Sequence, residues 1–111
     1  MNAPIRRWKR YKVDIRVKLR RWDDPEEAAT VVRTYEMSEG GMSVYASESF
    51  EVGAAMMVAF ALPGVGSGLR LRCVVKNRRG FRCGMEFIEL PENDRSEILR
   101  YLGSLMDVIE I

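Results

Sequence analysis

Histidine is absent from the 111-residue sequence, and cysteine occurs only twice, at Cys73 and Cys83. Histidine is the usual general base near neutral pH and a common zinc ligand. Its absence therefore disfavours most hydrolase and transferase mechanisms, and the two cysteines lack the spacing of a metal-binding motif. No nucleophile is accompanied by an evident base, so we expect the chain not to be an enzyme.

Long apolar runs are missing as well. No segment is long and apolar enough to span a bilayer, and the N-terminus lacks the hydrophobic region of a signal peptide. We therefore expect a cytoplasmic protein without membrane insertion, whose cysteines are reduced thiols. A chain of 111 residues, 47% of them hydrophobic, predicts a single domain with one modest core.

Positive charge is concentrated near the N-terminus. The formal net charge is only +2, yet nine of the 18 Lys and Arg lie between Arg6 and Arg21, with Asp14 as the one acid among them. Such a local excess attracts a compact anion without requiring a long nucleic acid. The densest part is Arg6-Arg7-Trp8-Lys9-Arg10, in which the first and last arginines have R-x-x-x-R spacing.

Alternation of apolar and polar residues predicts the strands. In the stretch 12–20 every second residue is apolar, which is the pattern of a half-buried strand. Further stretches, separated by turn residues, predict strands at 28–35, 42–46, 54–62, 69–76 and 81–88. Because no helix separates these stretches, an antiparallel arrangement is favoured. Six short strands with one apolar face can hide their edges by closing into a barrel.

After Pro91 the apolar period becomes helical. Asn93 and Asp94 are good N-cap residue types, and Ile98 and Leu102 begin a series of apolar residues at helical spacing. The sequence thus predicts an all-β fold, a six-stranded antiparallel β-barrel with a C-terminal helix. Its parts are a flexible basic arm (1–11), the barrel (12–90) and the helix (92–109).

A second motif, Glu36-Met37-Ser38-Glu39-Gly40-Gly41, lies where two predicted strands meet. Glycine lets a ligand approach the backbone closely, and a carboxylate can accept the paired N–H groups of a guanine edge. The alternative is an ordinary turn, with Ser38 as a cap and Gly40 or Gly41 at positive φ. For the arm, the alternative is a solvated tail or one that pairs with the acidic loop Asp23–Glu27.

Together these features resemble the PilZ family, small β-barrel receptors for cyclic di-GMP in bacteria. The arm followed by Tyr11 is similar to the R-x-x-x-R arm that enters the family's first strand, and 36–41 is similar to its D/N-x-S-x-x-G turn. The stretch Cys83-Gly84-Met85-Glu86-Phe87 is similar to the closing strand, which a helix follows. The resemblance extends over about residues 5–105 and implies a split barrel.

The resemblance also implies the ligand site. The first and last arginines of the arm would bind phosphates and stack on guanine, since guanidinium groups do both. Ser38 and Gly41 would line the guanine pocket. Glu36 departs from the family's Asp or Asn, and its extra methylene moves the carboxylate by about 1 Å. The residues implied in binding cyclic di-GMP are Arg6, Arg7, Arg10, Glu36, Ser38, Gly40 and Gly41.

The function implied is that of a receptor or adaptor. Cyclic di-GMP would order the arm, and the change of shape would signal to a downstream protein, with no metal or other cofactor. One alternative is a PilZ-like protein-interaction module that no longer binds nucleotide. The other is a small basic barrel that binds nucleic acid through Arg16, Lys18 and Arg20, which the lack of an exposed aromatic ladder disfavours.

Overall fold

The computed structural model describes residues 8–64 and 68–105. All strand pairings are antiparallel, and the order β1-β2-β3-β6-β5-β4 closes into a barrel because β4 also pairs with β1. The predicted fold class is therefore confirmed. Within the described residues the elements are β1 Tyr11–Arg21, β2 Thr30–Ser38, β3 Gly41–Tyr45, β4 Ala55–Ala61, β5 Gly68–Arg79, β6 Arg82–Ile88 and helix α1 Glu92–Ser104.

The barrel interior holds the alternating apolar residues. In β1, Ile15, Val17 and Leu19 are buried, while the residues between them are exposed. Each strand contributes to the same hydrophobic cluster, which also takes in Ile98 and Leu102 of α1. The helix therefore packs on its own barrel. Burying one aliphatic side chain of this size stabilises a fold by about 1.5–3 kcal/mol.

Element boundaries differ from the prediction at several places. Strand β1 begins at Tyr11, which the prediction assigned to the arm, and residues 1–7 lie outside the described part of the chain. Strand β2 begins only at Thr30, because a short 3-10 turn occupies Glu26–Ala28. The helix was predicted to continue to residue 109. However, the backbone at Leu105 is already extended (φ −71°, ψ 136°), and residues 106–109 are outside the described part.

Both cysteines are free and buried. Cys73 lies opposite Phe87, whereas Cys83 lies opposite Arg78, because the β5–β6 register shifts between Val75 and Asn77. Burial raises the pKa of Cys73 to about 12, so this thiol stays protonated near neutral pH. Among the helices of the described segments, none is long and apolar enough to cross a membrane.

Candidate functional site

The described end of the basic arm, from Trp8 onward, and the second motif meet in space. Strand β2 ends at Ser38 and β3 begins at Gly41, so the turn between them consists of Glu39 and Gly40. The Ser38 hydroxyl accepts a hydrogen bond from the Gly40 N–H at 3.1 Å, as the turn alternative expected. The indole of Trp8 covers this turn, since a Cβ at Gly40 would lie 2.2 Å from its ring. The end of the arm therefore packs on the turn.

Neighbouring groups leave no room for a side chain at Gly40 of the turn or at Gly41, the first residue of β3. A Cβ at Gly41 would lie 2.1 Å from the Met85 carbonyl oxygen of β6. The Gly40 carbonyl accepts a hydrogen bond from the Phe87 N–H at 2.9 Å. Neither glycine has a positive φ, contrary to the turn alternative; the described glycines that do are Gly53, Gly64 and Gly80.

An ion pair links the two motifs. Arg10 Nη1 donates to Glu36 Oε1 at 3.3 Å, and the two side chains are 42% and 28% exposed. Glu36 lies opposite Lys12 of β1 and Ser43 of β3. An exposed pair of this kind is weak, typically about 0–1 kcal/mol. A stronger anion can therefore displace the Glu36 carboxylate from Arg10.

An irregularity in β2 turns two consecutive side chains toward the surface. The β2–β3 register shifts between Thr34 and Glu36, and such bulges re-aim side chains. Thr34 is 1% exposed, and its hydroxyl lies 3.0 Å from the Glu36 carbonyl and 2.8 Å from the Ser43 carbonyl. Alternation of apolar and polar residues does not predict this bulge. The indication of the bulge in the sequence is that two consecutive residues, Tyr35 and Glu36, are polar and interrupt the alternation of β2.

A long groove extends from the turn over the outer face of β2, β3, β6 and β5. Its volume is ≈ 1100 Å³. Across the floor, Glu36 of β2, Ser43 of β3 and Gly84 of β6 lie in one row, and the side chain of Asn77 covers Gly84. A carboxylate acceptor, guanidinium donors and exposed backbone thus share one concave surface, which suits a ligand with both a base and a phosphate.

The end of the groove distant from the turn carries groups that the predicted site did not include. Tyr35 and Tyr45 line it, together with cations of the β5–β6 hairpin. Alternation within β3 placed Tyr45 outward, but only the strand register shows that it lies opposite Arg82. The hairpin cations at this end are Arg78, Arg79 and Arg82, whereas Lys76 lies nearer the turn, 3.6 Å from the Glu86 carboxylate.

The helix is joined to the turn by a second ion pair. Arg95 Nη1 of α1 donates to Glu39 Oε2, and Arg95 Nε also lies 3.6 Å from the Glu92 carboxylate. The Glu39 side chain is only 19% exposed. The turn and the first half of α1 are therefore in direct contact. This contact joins residues 56 positions apart, and no local sequence pattern indicates it.

The structure brings most of the predicted site together. Arg10, Glu36, Ser38, Gly40 and Gly41 all line the groove. Arg6 and Arg7 lie outside the described residues. A role in ligand binding stays a prediction for all seven residues. In the described segments, no group of three or more His, Cys, Asp or Glu is placed to hold a metal ion.

Comparisons with known proteins place this geometry among related folds. The family model for the PilZ domain matches residues 4–104. No curated protein matches the chain by sequence. Among solved structures, the inhibitor of motility (MotI/DgrA) of Bacillus subtilis is similar with a TM-score of 0.74 and 20% identity, covering 90% of this chain and 50% of that one. The present chain thus spans half the length of the Bacillus protein.

Two isolated PilZ domains are also similar. The PilZ domain of CeSA from a cellulose-synthesising bacterium gives a TM-score of 0.68 at 16% identity, covering 86% of this chain and 95% of that one. The PilZ domain of YcgR from Escherichia coli, solved with c-di-GMP, gives 0.70 at 15% identity and covers 90% of each chain. At these identities the likeness concerns the fold.

Proposed function

The chain belongs to the PilZ domain family, and from this premise we propose that it is a receptor for cyclic di-GMP that signals to a protein partner by changing shape. One observation carries the proposal. Trp8 and Arg10, which belong to the described end of the basic arm, meet the E-x-S-x-x-G turn at one end of the groove, where Trp8 packs on Gly40 and Arg10 pairs with Glu36. The similar domain of Escherichia coli YcgR was solved with c-di-GMP.

Binding begins with an exchange of partners at Arg10. Its guanidinium leaves the Glu36 carboxylate, 3.3 Å away, and binds a phosphate through two parallel charge-assisted hydrogen bonds. Arg6 and Arg7 add further positive charge to the arm. The released carboxylate then accepts the paired N–H groups of a guanine edge.

The signal passes from the turn to the helix. Nucleotide contact with the turn shifts Glu39, and Glu39 is bonded to Arg95 of α1. Helix α1 contributes Ile98 and Leu102 to the core, while Leu99 is 43% exposed on its outer side. A shift of α1 thus changes the surface that a downstream protein meets. The proposal contains no catalytic step, and we place the receptor in the cytoplasm.

Isothermal titration calorimetry of the wild-type chain tests the proposal. Cyclic di-GMP is titrated at moderate salt, with GTP and a short oligonucleotide as control ligands. We expect saturable heat with cyclic di-GMP alone. A repeat at higher salt separates compact binding from contact with many phosphates, because the latter weakens steeply with salt. Equal heat from the oligonucleotide would instead support a nucleic-acid-binding barrel.

A second candidate is favoured by the Arg10–Glu36 ion pair. In the structure this pair occupies Arg10 with a carboxylate of the chain itself, 3.3 Å away. A chain in which the pair persists in the presence of the nucleotide would be a protein-interaction module of the PilZ fold. It predicts no heat with cyclic di-GMP at any salt concentration, so the same titration decides between the two candidates.

A further inference from the structure

An aromatic pair lies at the distal end of the groove. The ring centroids of Tyr35 and Tyr45 are 4.5 Å apart, with the rings tilted by 33°. The guanidinium carbon of Arg82 lies 5.8 Å from the centroid of Tyr35. Tyr45 remains 47% exposed although it is packed against a second ring. A rigid aromatic surface is therefore accessible from the groove.

The strand register gives the distance between this pair and the turn. Gly41, Ser43 and Tyr45 alternate on the outward side of β3, and their partners on β6 are Glu86, Gly84 and Arg82. Four residues of strand span about 13 Å, at ~3.3 Å per residue. Between the two ends lie Ser43 and Gly84, and the amide side chain of Asn77 lies over Gly84. The groove thus has an anionic and cationic end at the turn and an aromatic and cationic end at Tyr45, joined by a polar middle.

The arginines of the β5–β6 hairpin near Tyr45 lack acidic partners, whereas Arg33, opposite Tyr45 on β2, pairs with Asp14. In residues 8–64 and 68–105, no ion pair joins Arg78, Arg79 or Arg82 to a carboxylate. Most other arginines with described side chains do form such pairs; they are Arg10, Arg21, Arg33, Arg70, Arg72 and Arg95. The positive charge at the distal end is therefore available to an anion.

An exposed aromatic ring beside a guanidinium group is suited to a nucleotide. Every base can stack on an aromatic face, and a guanidinium binds the adjacent phosphate through paired hydrogen bonds. We propose that Tyr45, held by Tyr35, and Arg82 form a second recognition site for a purine base and its neighbouring phosphate. This inference rests on the proposed function. The base is either the other guanine of the same cyclic di-GMP or a guanine of a second molecule.

Calorimetry with cyclic di-GMP tests the second site, using the wild-type chain and four variants. Tyr45→Ala removes the ring, while Tyr45→Phe keeps it. Arg82→Ala removes a charge at the site, while Arg16→Ala removes one on β1 outside the groove. We expect the dissociation constant to rise about tenfold for Tyr45→Ala and for Arg82→Ala, which corresponds to the loss of one base-stacking or phosphate contact. Tyr45→Phe and Arg16→Ala should stay within twofold of wild type.

Stoichiometry distinguishes the two sources of the base. One nucleotide per chain, bound more weakly by Tyr45→Ala, assigns the distal end to the same molecule. Two nucleotides per wild-type chain and one per Tyr45→Ala chain assign it to a second molecule. If the wild-type chain binds, and neither Tyr45→Ala nor Arg82→Ala changes the dissociation constant by more than twofold, the second site is overturned. The proposed receptor function then still stands. A wild-type chain that does not bind overturns both. Circular dichroism confirms that each variant is folded.

Discussion

Two grooves on this barrel are both lined by cations, but they differ in the other groups that line them. The long groove beside the turn holds ≈ 1100 Å³, and the other, on the outer face of β1, β4 and β5, holds ≈ 550 Å³. The smaller groove also has cations, namely Arg16, Lys18 and Arg70. Its aromatic lining residue, Phe60, is only 6% exposed and belongs to the core. Cations over an aliphatic floor do not provide a stacking surface or a carboxylate acceptor for a base.

The difference has its origin in strand register. The β1–β4 and β4–β5 pairs, which form the smaller groove, run without a register shift. Shifts occur in the β1–β2, β2–β3 and β5–β6 pairs, all of which border the long groove. Bulges interrupt strict alternation and place consecutive side chains on one face. Three of the four strand pairs that border the long groove are thus irregular, and the β3–β6 pair is the regular one among them.

The sharpest contrast between the grooves concerns one glycine in each. Gly41→Ala places a methyl group 2.1 Å from the Met85 carbonyl, so β3 and β6 must move apart. In the smaller groove, Gly68→Ala meets nothing closer than the Phe60 carbonyl at 3.7 Å, an ordinary contact. We expect Gly41→Ala to lower the free energy of unfolding by about 2–3 kcal/mol. Gly68→Ala should leave it unchanged or raise it by up to about 1 kcal/mol.

Urea unfolding followed by tryptophan fluorescence measures both variants. The same samples, titrated with cyclic di-GMP, should show weaker binding for Gly41→Ala only. Equal stability of the two variants would contradict the claim that the turn depends on close packing against β6. The two grooves would then differ in their polar side chains alone.

A matched pair of arginines tests whether charge or position determines binding. Arg10 of the long groove pairs with Glu36, and Arg70 of the smaller groove pairs with Glu26, which does not line that groove. Arg10→Ala should weaken cyclic di-GMP binding about 10- to 150-fold, the cost of losing a charged hydrogen-bond set of about 1.5–3 kcal/mol. Arg70→Ala removes the same charge and should change the dissociation constant less than twofold. Calorimetry of both variants is decisive, since similar losses would mean that net charge alone attracts the nucleotide.

The contrast between regular and irregular strand pairs also explains what could be predicted from the sequence. Alternation in β1 identifies Val17 and Leu19 as core residues, and the barrel follows from six such strands. Alternation does not predict a bulge, so the outward position of both Tyr35 and Glu36 was missed. The Arg95–Glu39 contact joins distant segments and has no local pattern at all. The motif residues were recognisable because their spacing, rather than their burial, carries the signal.

The next test of the long groove changes the length of the side chain at position 36. Glu36 reaches Arg10 at 3.3 Å, and an aspartate is shorter by about 1 Å, too short to hold the pair. Glu36→Asp thus frees Arg10 for phosphate and keeps a carboxylate for guanine. We expect cyclic di-GMP to bind about two- to fivefold more tightly, because the pair that it displaces is worth no more than about 1 kcal/mol. Glu26→Asp, in the ion pair with Arg70 of the other groove, is the control. Weaker binding by Glu36→Asp would show that the longer side chain is needed to reach the base.

The smallest effect is expected at the border of the long groove, where Arg33 lies opposite Tyr45. Arg33 Nε donates to Asp14 Oδ1 at 2.8 Å, and this hydrogen bond lowers the pKa of Asp14 below its ordinary value of 3.8. A carboxyl whose pKa is lower in the folded state stabilises the fold above its unfolded pKa, and this contribution is lost as the pH falls through the folded pKa.

The pH dependence of unfolding therefore measures the contribution of the Arg33–Asp14 pair to stability, separately from the ligand site beside it. The stability difference between wild type and Asp14→Asn should be small and constant above about pH 4, and it should vanish at lower pH. Both side chains are more than half exposed, so salt should reduce the difference. Urea unfolding across this pH range, at low and high salt, measures it. A difference that persisted at low pH would require Asp14 to act through something other than its charge on Arg33.

The same variant also bears on ligand binding. Because Asp14→Asn removes the ion-pair partner of Arg33, it frees a further guanidinium next to Tyr45. The affinity for cyclic di-GMP should therefore rise slightly, while the smaller groove is unaffected.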